Sequence, residues 1–246
     1  MALREELEST GNWLFRWRSY LPLAFIGLFL VALREYRYPY DSERIDFFWE
    51  LFCLLVSFSG LAIRAFTVGH APRKTSGRNT KEQVAETLNT TGSYSVVRHP
   101  LYLGNFFMWL GIALFAHIWW LAVIFILLFW IYYERIMLAE EAFLRDKFGE
   151  SYVIWARRTP AFVPRLSNYT RPHLPFSAKT VLRREYNGCF AVVLVMSAFE
   201  LLADWKVERK IELDTHWAVL LGVSLTVWGV LRFLKKRTRL LDVEGR

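Results

Sequence analysis

Apolar positions along this chain are clumped into long runs. They are not spaced at the three-to-four-residue interval of a soluble amphipathic helix, and clumping is the pattern of segments that face lipid. Five runs stand out, at 19–33, 47–66, 101–133, 186–205 and 215–234. A bilayer core of about 30 Å takes about 20 helical residues at about 1.5 Å each. The run 101–133 has 33 residues without one Lys, Arg, Asp or Glu. As a single helix it would be roughly 50 Å long, too long for one comfortable crossing. It therefore predicts a tight helical hairpin turning at Ala116-His117-Ile118, which brings the total to about six crossings. Tilt, bilayer thinning or helices extending beyond their apolar run would accommodate the shorter ones. The fold class is all-α, a polytopic membrane protein with its polar chemistry at the ends of the helices. Glu5, Glu6 and Glu8 come first and no small-residue cleavage site follows the run 19–33, so no signal-peptide pattern is expected.

Charge sets the expected orientation. Six crossings place both termini on one side, together with segments 67–98 and 134–185, and that side, with Arg232 near the end of the last run, carries 24 of the 31 Lys and Arg residues. Arg34, Arg37, Arg44, Lys206, Arg209 and Lys210 fall on the other side, and Arg64 lies within a span. By the positive-inside rule the termini and both long polar segments are cytoplasmic. The same rule accounts for the net charge of +8 without a nucleic-acid partner. The two cysteines, Cys53 and Cys189, lie far apart inside apolar runs and read as small buried hydrophobes. They propose neither a disulfide framework nor a zinc site, and no metal-ligand cluster is evident.

The candidate chemistry sits in the two cytoplasmic segments. In Thr90-Thr91-Gly92-Ser93-Tyr94-Ser95-Val96-Val97-Arg98-His99-Pro100-Leu101-Tyr102-Leu103-Gly104, Pro100 suits the first position of a helix, where its missing N–H costs nothing. His99 then takes the N-cap position, with Arg98 just outside. Unpaired N–H groups, a partial positive charge and Arg98 together make a place for a carboxylate or phosphate. Gly104 fits either this site or a close helix–helix contact. The second segment, residues 134–149, reads as a helix ending at Gly149. Of its two adjacent carboxylates, Glu141 has Arg145 one turn on, an ordinary surface pair. Glu140 has Ile136, Met137, Phe143 and Leu144 around it, and a carboxylate among apolar neighbours must find a partner or pay for desolvation. Helical geometry therefore ranks Glu140 above Glu141. Pro160 and Pro164 end any further helix, and Tyr152, Trp155 and Phe162 fit an interfacial belt or a pocket wall.

These two runs resemble the isoprenylcysteine carboxyl methyltransferase and phospholipid methyltransferase family of integral membrane enzymes. The resemblance rests on Thr91-Gly92-x-Tyr94-x-x-x-Arg98-His99-Pro100-x-Tyr102-x-Gly104. It rests equally on Glu140-Glu141-x-x-Leu144-x-x-x-Phe148-Gly149-x-x-Tyr152, followed by Thr159-Pro160 and Pro164. It covers about half the chain and implies S-adenosylmethionine as cofactor. Tyr94, Arg98, His99, Pro100, Tyr102, Gly104, Glu140, Glu141 and Tyr152 would form its pocket, with Arg98, His99 and Glu140 as the catalytic candidates. Trp155 stands where the family often has a tyrosine, and two further spans follow the point where many relatives end. The implied division is an N-terminal segment 1–46 with the first crossing, a methyltransferase core 47–166, and an extension 167–246. The partner expected is a membrane lipid or lipidated substrate with a carboxylate or phosphate head. His70, Arg73, Lys74, Arg78 and Arg158 are the candidate substrate contacts. Arg-His-Pro followed by Tyr also occurs in NADPH-dependent sterol reductases, and a non-catalytic lipid-binding protein is the remaining alternative. The acceptor and the oligomeric state are not written in the sequence.

Overall fold

A computed structural model describes residues 3–18, 20–36, 43–72, 85–209 and 212–245. Arg73, Lys74 and Arg78 of the expected substrate loop lie outside the described residues. All regular structure among the described residues is helical. An amphipathic helix α1 (Leu3–Trp17) precedes the apolar α2 (Leu21–Leu33) and the long α3 (Glu43–His70). After the short α4 (Ser93–Val96) come α5 (Pro100–Phe115), α6 (Trp119–Phe148), α7 (Glu150–Arg158), α8 (Ala178–Glu208) and α9 (Thr215–Arg237).

Four of these, at 44–70, 119–148, 178–207 and 215–237, are long and apolar enough to cross a membrane. Helix α5 is apolar but shorter, with 16 residues, and α2 has 13. The protein is a polytopic membrane protein. Outward-facing side chains agree with this: Val219, Val223, Val227, Val230 and Phe233 of α9, and Leu127, Trp130 and Ile131 of α6, are exposed as a lipid-facing surface requires.

The hairpin turns where the apolar run is too long for one crossing. Helix α5 ends at Phe115 and α6 starts at Trp119. His117 takes a left-handed φ of 55° at the turn. Its Nε2 lies 2.8 Å from Asp46 Oδ1 and its ring packs on Trp49, so α3 holds the turn in place.

Helices α3 and α5 approach very closely, because Gly60, Gly104 and Gly111 let their backbones touch. A Cβ at Gly104 would overlap the Arg64 side chain and the Gly60 carbonyl, and one at Gly111 would overlap Ser57 and the Cys53 carbonyl. Gly104 is thus a packing position between two helices, the alternative to a cofactor contact. Gly104→Val should cost about 1–3 kcal/mol, as overpacking of a tight contact does. Thermal unfolding in detergent measures this, and an unchanged midpoint would mean that the helices separate freely.

The C-terminal helix α8 packs against α3, α5 and α9. Its Glu185 makes a two-pronged pair with Arg64, 2.7 Å to Nε and 2.9 Å to Nη2. Arg64 Nη1 donates to Asn105 Oδ1 at 2.6 Å, and Asn105 Nδ2 donates to the Tyr133 hydroxyl at 3.2 Å. A polar network therefore joins α8, α3, α5 and α6 inside the bundle. The N-terminal α1 lies along α6, with Gly11 against the Arg135 carbonyl and the Ala139 side chain.

Candidate functional site

The segment 92–99 owes its shape to backbone bonds with a distant part of the chain. Arg98 N–H donates to the Pro160 carbonyl at 2.8 Å and His99 N–H to Ala161 at 3.3 Å, while Arg165 N–H returns a bond to Val96 at 2.9 Å. Gly92 N–H reaches the Thr170 carbonyl at 3.0 Å, and its φ of 61° is one that glycine takes without strain. Trp155 of α7 donates its indole N–H to the Tyr94 carbonyl at 3.0 Å, so the residue that departs from the family pattern is a buttress. Thr67 of α3 bonds the Ser93 hydroxyl at 2.9 Å.

Pro100 opens α5 and His99 is its N-cap residue, without a side-chain cap. The imidazole is buried and turns to α6. Its Nε2 lies 3.0 Å from Glu141 Oε1 and its Nδ1 lies 3.4 Å from Glu140 Oε2. Arg98 Nη1 donates to Glu141 Oε2 at 2.9 Å. Tyr102 stacks on His99 with ring centres 5.6 Å apart and meets Tyr133 at 4.8 Å. Both carboxylates thus face the same cluster. Glu141 is held by Arg98 and His99, in place of the expected surface pair with Arg145, because α6 turns both positions toward the loop that α7 and residues 160–165 pin above it. Glu140 is met by His99 and by the Tyr102 hydroxyl, and no arginine pairs with it among the described residues.

Burial alone would lower the His99 pKa, but the hydrogen bonds and charges of Glu140 and Glu141 outweigh it, and the net shift is upward. The imidazolium is favoured, balancing two carboxylates with two cations. Burial pushes the Tyr94 and Tyr152 phenols up, with the Glu140 charge adding at Tyr94 and the Glu141 charge at Tyr152, so both stay neutral donors. Two polar atoms here are buried without a hydrogen-bond partner, Arg98 Nε and the Tyr152 hydroxyl. Tyr152 faces Glu141 and Arg98, and both orphan donors belong to that group. Two unsatisfied donors beside the Glu140 carboxylate fit a ligand that brings both an acceptor and a donor.

The structure therefore brings together Arg98, His99, Pro100, Tyr102, Glu140, Glu141 and Tyr152, with Tyr94 alongside. It does not bring Gly104 into this group. His70 ends α3 with Nδ1 2.9 Å from the Phe66 carbonyl and its ring on Phe66 and Phe176, while Arg158 ends α7 with its side chain exposed. Asn105, Tyr133 and Glu185 carried no sequence signal, since their partner Arg64 lies up to 121 residues away.

The fold is that of a polytopic membrane protein, with a cluster of buried ionisable groups between the start of α5 and the motif-bearing end of α6. The phospholipid methyltransferase family model matches residues 52–151 of the chain. Among similar proteins, a cobalt-zinc-cadmium resistance protein of Cupriavidus metallidurans is 36% identical over 118 residues, 47% of this chain and 52% of the relative. A nickel-cobalt-cadmium resistance protein of Alcaligenes xylosoxydans xylosoxydans is 38% identical over 144 residues, 58% of this chain and 62% of the relative. A protein-S-isoprenylcysteine O-methyltransferase of Schizosaccharomyces pombe is 36% identical over 78 residues, 31% of this chain and 33% of the relative. The chain thus spans about half to three-fifths of the length of the two resistance proteins and a third of the methyltransferase. No solved structure matches it.

Proposed function

We propose that the protein is an S-adenosylmethionine-dependent methyltransferase acting on a lipid or lipidated acceptor, with its site and both termini on the cytoplasmic side. The observation that carries this reading is the pair of buried orphan donors, Arg98 Nε and the Tyr152 hydroxyl, beside Glu140 within the family-matched region. When bound, the cofactor supplies an activated methyl group on a sulfonium. Arg98 and Tyr152 donate to a carboxylate, and Glu140 accepts from hydroxyls or complements positive charge. His99, held as imidazolium, fixes Glu140 and Glu141 relative to the start of α5. Tyr102 and Tyr133 wall the site and keep water out. A carboxylate or phosphate acceptor needs no general base, so alignment and dryness are what the chain must provide. The Arg158 side chain and the basic stretch around Arg73, Lys74 and Arg78 are the proposed contacts for an anionic head.

The test has two arms. Titration with S-adenosylhomocysteine and with NADPH separates this reading from a reductase: binding of NADPH alone would overturn it. Radiolabelled methyl transfer to a total lipid extract, compared with a prenylated cysteine, then identifies the acceptor class.

A pH dependence follows from His99. Its raised pKa means that the imidazolium contacts are fully present below the free-histidine value of about 6.5 and are lost as pH rises through the higher folded value. Affinity for S-adenosylhomocysteine should fall on the alkaline side, and His99→Gln should flatten that limb. Calorimetry across the pH range measures both, and an identical profile in the variant would move the titration to another group.

A further inference from the structure

A second cluster of ionisable groups lies far from this site. Asp46 and Glu50 sit one turn apart near the start of α3, and Glu200 reaches them from α8; all three are buried, at 6%, 4% and 4% exposure. One oxygen from each lies within 4.8 Å of the others. Glu50 and Thr67, which touches the loop of the first site, are 17 residues apart on the same helix. That is about 25 Å at about 1.5 Å per residue, so the two clusters occupy opposite ends of the bundle.

The surroundings are arranged as they are around a metal. His117 Nε2 bonds Asp46 Oδ1 at 2.8 Å, His216 Nε2 bonds Glu50 Oε2 at 3.1 Å, and the Trp217 indole donates to Glu50 Oε1 at 2.9 Å. These donors come from the hairpin turn and from α9, and they orient carboxylates from behind, as outer partners orient ligands. Among the described residues no cation is paired with Glu200. It shares a hydrogen bond with Glu50 and lies near the further carboxylates of Asp204 and Asp46. Lys206, one turn-fraction beyond Asp204, gives its ammonium to the backbone carbonyls of Arg34 and Tyr36. On the inward face of α8, one turn before Glu200, Ser197 is 3% exposed and its hydroxyl has no hydrogen-bond partner. A carboxyl buried among carboxylates, one helical turn from an orphan hydroxyl, is a place where a cation can take over from a shared proton. Oxygen ligands at about 2.3–2.6 Å from one ion stand at most about 5 Å apart, which the three carboxylates already satisfy.

We propose that Asp46, Glu50 and Glu200 bind a divalent cation at the end of the bundle opposite the methyltransferase site, with His117, His216 and Trp217 orienting the ligands. An all-carboxylate set selects a hard or borderline ion such as Mn²⁺, Ca²⁺ or Zn²⁺. The site closes α3, α8, α9 and the hairpin turn on one another, so it ties the C-terminal helices to the core independently of any methyl transfer.

The test uses the full chain, free of a histidine tag, in detergent after treatment with a chelator. Mn²⁺ titration followed by electron paramagnetic resonance should show one bound ion per chain, displaced by Ca²⁺ or Zn²⁺. Glu200→Gln and Asp46→Asn should each weaken binding at least tenfold while eluting as the wild type does from a sizing column. If Glu200→Gln does not fold, Asp46→Asn decides, since its amide still meets His117. No Mn²⁺ binding by the wild type would mean that Glu50 and Glu200 share a proton in place of a cation, and it overturns the proposal. Unchanged affinity in the folded variants overturns it equally.

Discussion

Glu141→Ala should lower the thermal midpoint in detergent and weaken S-adenosylhomocysteine binding, whereas Glu140→Ala should weaken binding and leave the midpoint nearly where it was. The difference follows from what each carboxylate holds. Glu141 accepts from both Arg98 and His99, at 2.9 and 3.0 Å. Taking it away strands the Arg98 guanidinium, whose side chain is only 19% exposed. The cost is about 3 kcal/mol, at the low end for a broken buried pair. For a chain of this size that is a fall of about 6–12 °C. Glu140 meets His99 at 3.4 Å and the Tyr102 hydroxyl and holds no arginine, so its loss strands no buried guanidinium and should cost the fold less. Its role in the site predicts a drop in S-adenosylhomocysteine affinity of about ten- to a hundredfold, as for one charge-assisted contact. Calorimetry and thermal unfolding of both variants in one detergent separate the two roles. Equal midpoints for the two would show that Arg98 and His99 find other partners.

The second large effect lies at the join between α8 and the core. Glu185→Leu should cost about 3–5 kcal/mol, because it leaves Arg64 charged inside the bundle with only Asn105 to meet it. The double variant Glu185→Leu with Arg64→Met should regain most of that, since a buried pair exchanged for apolar side chains is often neutral. Thermal unfolding of the two single variants and the double completes the cycle. A double variant as unstable as the worse single one would assign the effect to Asn105, whose Oδ1 loses its donor when Arg64 is replaced.

Much of this architecture is legible from residue order because it depends on local properties. A run of 33 uncharged residues exceeds one crossing, and the turn appears at 116–118 as its length requires. Pro100, Gly149 and Pro160 mark helix limits through backbone chemistry alone. What the sequence hid depends on distance. The ranking of Glu140 over Glu141 counted neighbours on one helix, and Arg98 and His99 arrive from another part of the chain. Gly104 carries the same letter whether it faces a cofactor or a helix, and only the position of Gly60 distinguishes the two. Amphipathic α1 contains no long apolar run and so carries no crossing signal. The Asp46, Glu50 and Glu200 cluster is spread over 155 positions on two helices, a spacing in which no ligand pattern can be seen and from which no metal was expected.

The ladder that binds residues 96–99 to residues 160–165 has a consequence for how the protein is made. Both family motifs are complete once Tyr152 has been synthesised, yet the amides of Arg98 and His99 have no acceptors until Pro160 and Ala161 follow. A ribosome-bound chain stopped shortly after α7 would hold its hairpin in the membrane and still lack a formed site. Assembly of the pocket is thus timed by a short stretch of chain that contains none of its side chains.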